Sequence, residues 1–360
     1  MSDTYFSGDY VTARARFRQS AERAGGTLTS LELTPKGPGG EDLTIDLAWF
    51  GAEQPRRAFV HSCGVHGVEA FAGSAIQLQR LDEGVPEIPG DAAIVLAHVL
   101  NPYGMAWLRR VNEHNVDLNR NFLDPGDLYE GAPQGYDKLD SFLNPPSPPS
   151  GEFFYPRAGW LIARHGMTTL RQTIAGGQHV NPKGLFFGGA GLEEGPRLFE
   201  QYVREHLAGV ERMVVLDVHT GLGPSGFDTL LVQGADEGTP LFTKMLETFG
   251  DRVSSMDPAR GPAYRVRGSY VTMYPRVLPS AGVYFVAQEF GTYNAVRVVK
   301  SLRAENRWHH YGDGGFKHPT KQVLKERFSP DSQSWRDAVL RRGRIVIGQA
   351  LQLMTAEVDL

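Results

Sequence analysis

A histidine and a glutamate three positions apart, His66 and Glu69 in the stretch HSCGVHGVEA, form a pair that can clip one metal ion. Imidazole and carboxylate both suit zinc, and a catalytic zinc takes three protein ligands and keeps one position open. The pair therefore requires a third ligand from elsewhere in the chain. It lies where an apolar strand-like run, 57–62, gives way to a helix-like one, 70–81. Two further apolar runs end in polar residues: RMVVLDVH at 212–219 closes on Asp-x-His, and GVYFVAQE at 282–289 closes on a glutamate. In open α/β sheets the carboxyl ends of the strands are where ligands bind. His219 is the natural third ligand, because one sheet can bring both strand ends together. HExxH is absent, which excludes a thermolysin-like helix.

Other candidate groups fade. His61, His98, His114, His165, His179, His309 and His310 lack a partner pattern and are expected to pack or to face solvent. Cys63, at a buried strand end, reads as packing rather than as a nucleophile. Ser74 and Ser225 lack the GxSxG elbow. GGAGLEEG at 188–195 carries two glutamates where a phosphate needs amide donors and positive charge, so it reads as a turn before a helix near Pro196.

The elements that must position these residues follow from periodicity. The spacing predicts a helix over 10–24, strands over 27–33 and 43–50, and a nearly all-apolar strand over 92–100, the mark of a strand covered on both faces. The stretch 107–122 is too dense in Arg and Asn for core and reads as a functional loop. The proline-rich segment 123–151 is expected to hold no regular structure and to run around the site or between lobes. A helix over 158–175 follows, and the tail, 295–311 and 320–355, reads as amphipathic helices on a sheet face. The fold expected is a single α/β domain over 1–360, with a mixed, mostly parallel sheet flanked by helices on both faces. Its motif-bearing core would be 51–295, and 296–360 its C-terminal helices.

Composition narrows the function classes. A formal net charge of -4 over 360 residues argues against a general nucleic-acid binder. One cysteine excludes an internal disulfide framework and a Cys-based zinc site, and suits a reducing compartment. The first 26 residues have charges every few positions and no apolar run, and no stretch approaches the roughly 18 apolar residues of a spanning helix. No membrane partner and a cytoplasmic location are the expectations.

Five motifs stand in order: His66-x-x-Glu69, NPYG at 101–104, RRVNEHNVDLNRNF at 109–122, DVHTG at 217–221 and EFGTY at 289–293. Together they resemble those of the zinc carboxypeptidase (carboxypeptidase A-like, funnelin) family. The likeness is to its less characterised bacterial branch, related to succinylglutamate desuccinylase and aspartoacylase. It spans 60–293, and the flanks contribute nothing to it. The resemblance implies one zinc ion held by His66, Glu69 and His219, with Glu289 as general base. It implies that Asn119 and Arg120 bind the substrate's carboxylate, that Arg110 stabilises the oxyanion with Arg109 as the alternative, and that Asp117 orients His66. The family's mobile tyrosine has no unambiguous counterpart among Tyr264, Tyr270 and Tyr274, of which Tyr270 is favoured. The physical chemistry agrees: a strand-end carboxylate shielded from solvent has its pKa pushed toward the value near 7 that a zinc-bound water reaches. A guanidinium also meets a carboxylate through two parallel hydrogen bonds. The implied activity is removal of carboxyl-terminal residues from small peptides. The alternatives are an aspartoacylase-like or desuccinylase-like hydrolase of N-acyl amino acids, and a non-catalytic zinc-containing peptide-binding protein.

Overall fold

A computed structural model of the protein describes residues 4–232, 236–255 and 266–356. Eight strands form one sheet: β1 (Thr27–Lys36), β2 (Asp42–Gly51), β3 (Arg57–Cys63), β4 (Ala92–His98), β5 (Arg212–Thr220), β6 (Asp228–Val232), β7 (Val253–Ser255) and β8 (Gly282–Phe290), in the order β1-β2-β4-β3-β5-β8-β6-β7. The central strands β4, β3, β5 and β8 run parallel, and β1, β2 and β6 pair antiparallel. The architecture is a single α/β domain with a mixed, mostly parallel sheet flanked by helices.

Period-two alternation assigns the faces. On β5, Val214, Leu216 and Val218 join one buried cluster, while Met213 and Val215 join another. The first face is covered by α1 (Tyr10–Arg23), α2 (Ala70–Asp82) and α12 (Gln333–Thr355). The second is covered by α7 (Glu194–His206) and α9 (Met273–Val277), with the turn that precedes α9. Because alternation is strict, Asp217 and His219 share the second face, as does Glu289 on β8, where Phe285 and Ala287 precede it. The remaining helices are α3 (Pro102–Ala106), α4 (Tyr136–Leu143), α5 (Phe154–His165), α6 (Met167–Ala175), α8 (Pro240–Phe249), α10 (Ala295–Tyr311) and α11 (Pro319–Phe328).

Three expectations change. The segment 123–151 contains α4, whose Tyr136, Leu139, Phe142 and Leu143 are buried at helical spacing. The helix expected over 158–175 is two helices, because Gly166 adopts φ 79 and ψ 150, a conformation only glycine reaches at low cost. The tail breaks at 329–332 around Pro330, after which Ser332 caps α12 by accepting from the Trp335 N–H. No described helix is long and apolar enough to cross a membrane.

Candidate active site

The turn after β3 must fold tightly to bring its ligands together. A Cβ on Gly67 would stand 2.1 Å from the carbonyl carbon of Gly104 in α3, a clash with backbone that no side-chain movement relieves. That approach seats the single 3₁₀ turn 67–69 on α3, and the N–H groups of Gly67 and Val68 donate to the carbonyls of Arg110 (3.1 Å) and Arg109 (2.8 Å). Turn and Arg-rich loop are thus one hydrogen-bonded unit. Within the loop, Asn112 Oδ1 accepts from the N–H groups of His114 (3.1 Å) and Val116 (2.8 Å). Asp117 Oδ1 accepts from the Asn119 N–H at 3.1 Å. Asn and Asp side chains here do what a helix or strand ladder does elsewhere, so a polar segment is ordered without regular structure.

His66, Glu69 and His219 each bring one ligand atom within 4.8 Å of the others, and all three are buried. His66 Nδ1 lies 3.1 Å from Glu69 Oε1, and His219 Nδ1 lies 3.5 Å from Glu69 Oε2. On their far sides, His66 Nε2 lies 3.1 Å from Asp117 Oδ1 and His219 Nε2 lies 2.6 Å from Asp217 Oδ2. Each imidazole turns one nitrogen to the glutamate and the other to an aspartate, the pairing that fixes tautomer and ring orientation at metal sites. His66 Nδ1 is buried, and its 3.1 Å approach to Glu69 Oε1 lacks hydrogen-bond geometry. An orphaned buried group of this kind costs about 1–3 kcal/mol, which an ion bound between the three residues would remove. The Arg110 guanidinium pairs with Glu69 and Asp117, and Arg120 adds its charge beside Asp117. The donor set of two imidazoles and a carboxylate fits a divalent metal ion.

Electrostatics separates the carboxylates. Burial works to raise Glu69, but His66 and Arg110 hold it well below the usual carboxylate range. Burial opposes ionisation of Asp117 too, and Arg110, Arg120 and His66 outweigh it. Burial would favour neutral His219, yet Asp217 and Glu69 hold its pKa well above the ordinary value. Glu289 goes the other way: burial, and then the charge of Glu69, push it up to about 7. Glu289 stands opposite His219 in the parallel β5–β8 register, and its Oε1 accepts from the Leu222 N–H at 2.9 Å.

The structure distributes the remaining expected residues unevenly. Arg110 lines the cavity, its Nη1 donating to Glu69 Oε1 (2.7 Å) and its Nε to Asp117 Oδ2 (3.0 Å), with Nη2 2.7 Å from His66 Nε2. Arg109 is turned to Glu305, Asn115 and Asn306, so of the two neighbouring arginines Arg110 is the one at the cavity. Asn119 lines the cavity, and its Oδ1 accepts from Ser269 Oγ (3.0 Å) and the Tyr270 N–H (2.9 Å), so the donor it can offer a ligand is Nδ2. Arg120 departs from expectation. It is fully buried, is not among the cavity-lining residues, and donates from Nε and Nη2 to the carbonyl of Ala175 and from Nη1 to that of Asn119. It ties the end of α6 to the loop. Tyr270 also stands off the cavity: its ring packs among Phe122, Phe199 and Phe285, and its hydroxyl meets that of Tyr274, both rings buried away from the cavity lining. Tyr264 lies outside the described residues. Sequence reasoning gave Asp217 no role beside His219. The available signal was the i, i+2 spacing on one strand, which puts both side chains on one face.

The cavity that receives these groups encloses about 180 Å³. Beyond the polar cluster its wall is apolar, with Phe142, Phe154, Leu161, Leu170 and Phe186 from the region of α4, α5 and α6, and Val299 and Leu302 from α10.

Residues 6–342 match the model of a family described as "Protein of unknown function (DUF2817)". No curated protein matches the chain. Solved structures similar to it include carboxypeptidase A from Helicoverpa armigera, at 14% identity and a TM-score of 0.47, covering 96% of this chain and 74% of that one. Bovine thrombin-activatable fibrinolysis inhibitor, in complex with tick carboxypeptidase inhibitor, aligns at 11% identity and a TM-score of 0.46, over 97% of both chains. Murein-tripeptide amidase MpaA from Escherichia coli O157 aligns at 14% identity and a TM-score of 0.37, over 79% of this chain and 92% of that one.

Proposed function

The chain belongs to the DUF2817 family, and we propose that it is a zinc-dependent hydrolase cleaving an amide bond next to a free carboxylate, with carboxyl-terminal peptide bonds as the first substrate class. The observation that supports this reading is the convergence of His66, Glu69 and His219, each histidine backed by an aspartate, beside a glutamate of raised pKa. Two imidazoles and a carboxylate are a known donor set of catalytic zinc, and one such ion is the cofactor proposed. When bound, the ion supplies Lewis acidity that polarises a carbonyl and lowers the pKa of a water.

The residues of the chain do the rest. Glu289 Oε1 is held by the Leu222 N–H, so Oε2 is the atom that takes the proton from water and later passes it to the leaving amine. A carboxyl with a pKa of about 7 is matched to both transfers near neutral pH. Arg110, beside Glu69, offers its guanidinium to the negative charge that develops on the carbonyl oxygen. Asn119 Nδ2 contributes a donor for the substrate's carboxylate. Asp117 and Asp217 hold the two imidazoles in orientation.

An N-acyl amino acid is the second substrate class, because it carries the same amide bond next to a free carboxylate. The test is metal analysis of the purified protein, then hydrolysis of short peptides and N-acyl amino acids before and after chelation. Glu289→Gln at full metal occupancy is expected to lose about 10²–10⁴ in turnover. Wild-type turnover in that variant would remove Glu289 from the mechanism. Unchanged peptides and acyl amino acids after long incubation with loaded protein would leave only a binding role.

A further inference from the structure

One arginine lies in an otherwise apolar wall of the cavity. On α6 the lining residues are Met167, Leu170, Arg171, Ile174 and Ala175, spaced i, i+3, i+4, i+7 and i+8, one face of the helix. On α5 they are Phe154, Ala158, Leu161 and Ile162, again one face, and α10 adds Val296, Val299 and Leu302. An apolar stripe on a surface helix normally disappears into the core; here two of them line space that is continuous with the His66, Glu69 and His219 cluster. Among the described residues lining the cavity, the arginines are Arg110 and Arg171. Arg110 belongs to the metal-type cluster, while Arg171 stands within the apolar stripe.

We propose that the substrate carries a large apolar group, lodged in the arm between α5, α6 and α10, and that Arg171 binds its carboxylate in the place expected of Arg120. This names the substrate class of the site and rests on the hydrolase reading for the catalytic part, but not for the binding part. The shared chemistry is an apolar chain joined through an amide to a carboxylate. An N-acyl amino acid with a long acyl chain and a peptide ending in a bulky apolar residue both offer it. An apolar wall gives affinity in proportion to the area it removes from water, and the guanidinium adds direction through paired hydrogen bonds.

The test uses the full chain without metal, so that binding is read apart from hydrolysis. A fluorescent dodecanoate probe is displaced by N-acetyl-, N-octanoyl- and N-dodecanoylglycine, by N-dodecanoylglycinamide, and by dipeptides ending in leucine or aspartate. Affinity in the acyl series is expected to rise by about fourfold per methylene buried. Arg171→Met is expected to weaken the carboxylate ligands by roughly ten- to a hundredfold, with Arg171→Lys restoring part of it and the glycinamide unaffected. Ile174→Trp and, from α5, Ile162→Trp fill the arm and should weaken N-dodecanoylglycine about tenfold or more while sparing N-acetylglycine. Tighter binding of the acyl series than of the leucine peptide assigns the arm to an acyl chain, and the reverse assigns it to a side chain; both support the proposal. Equal affinity for acetyl and dodecanoyl ligands, or equal loss of carboxylate and glycinamide binding in Arg171→Met, overturns it. Binding as expected with no hydrolysis after metal loading would sink the hydrolase reading and leave this one standing. Fast hydrolysis without dependence on chain length would do the opposite.

Discussion

Glu305 on α10 is 3% exposed, and its Oε1 accepts from Arg109 Nε at 3.0 Å and from Lys321 Nζ at 2.5 Å. Both cationic side chains are fully buried, so one carboxylate neutralises half of the positive charge placed beside it. Burial lowers the pKa of Lys321, and burial would raise that of Glu305 were it not for Arg109 and Lys321, which hold it low. Glu305→Gln keeps the shape and an acceptor but leaves two buried cations facing each other. Removing one partner of a buried ion pair costs about 3–5 kcal/mol, a large part of the roughly 5–15 kcal/mol that hold a domain folded. With a denaturant slope of about 3 kcal/mol/M, the urea midpoint should fall by about 1 M or more, read by tryptophan fluorescence. Adding Lys321→Met removes the surplus cation and should recover a good part of that loss. The sign with pH is fixed as well: a depressed carboxyl stabilises above its unfolded pKa of about 4.3 and loses that contribution as pH falls, so the variant should be less acid-sensitive. A loss below about 1 kcal/mol, or no recovery in the double variant, would refute the reasoning that this cluster is dry and electrostatically bound.

His98 is buried, stacks on Phe17 with ring centroids 4.6 Å apart, and faces Ser74 Oγ at 3.0 Å, and burial lowers its pKa to about 4. The unfolded chain then binds the extra proton, so stability is full above about pH 6.5 and falls by roughly 3 kcal/mol on the way down to about pH 4. His98→Gln should flatten that slope in urea midpoints taken across the range, and an unchanged slope would show that His98 does not titrate there. Gly67→Ala should cost about 1–3 kcal/mol or more and weaken metal retention together, because its Cβ meets backbone of α3; a variant with native metal affinity would show that the turn can move aside. Asp217→Asn should lower metal affinity by about ten- to a hundredfold in calorimetric titration. Native affinity would mean that the 2.6 Å contact does not orient His219.

The parts of the fold legible in sequence are those where one physical signal dominates. β4 and β5 are near-continuous apolar runs because both faces of the sheet are covered, and their positions follow directly. The polar residues closing β5 and β8 betray the sheet's working edge. β6 and β7 are too short for periodicity to register, and the two turns of α4 are masked by the prolines around them. At the site, the meeting of His66, Glu69 and His219 is legible because the turn after β3 and the end of β5 lie at one edge of the sheet. Arg120 and Tyr270 are not, because motif order specifies residue type and says nothing of direction. The Arg120 stem runs toward Gly177, where a Cβ would stand 2.7 Å from its Cδ, and the guanidinium ends on the carbonyl of Ala175. Arg171 carried a readable signal, one cation at the centre of an apolar helical stripe, which gains meaning only once that stripe is seen to line a cavity.

His219 and Glu289 are neighbours through the β5–β8 ladder, so their spacing is set by main-chain hydrogen bonds at the centre of the sheet. α5 and α6 instead pack on one another, on α4 and on α10, and meet at a glycine hinge. In hydrogen exchange the amides of β5 and β8 should open only with the whole molecule, while those of α5 and α6 exchange through a smaller, local opening. The molecule therefore separates what must stay still from what can vary. On the proposed hydrolase reading, replacing the α5–α6 wall would change which amides fit while His66, Glu69, His219 and Glu289 keep their places.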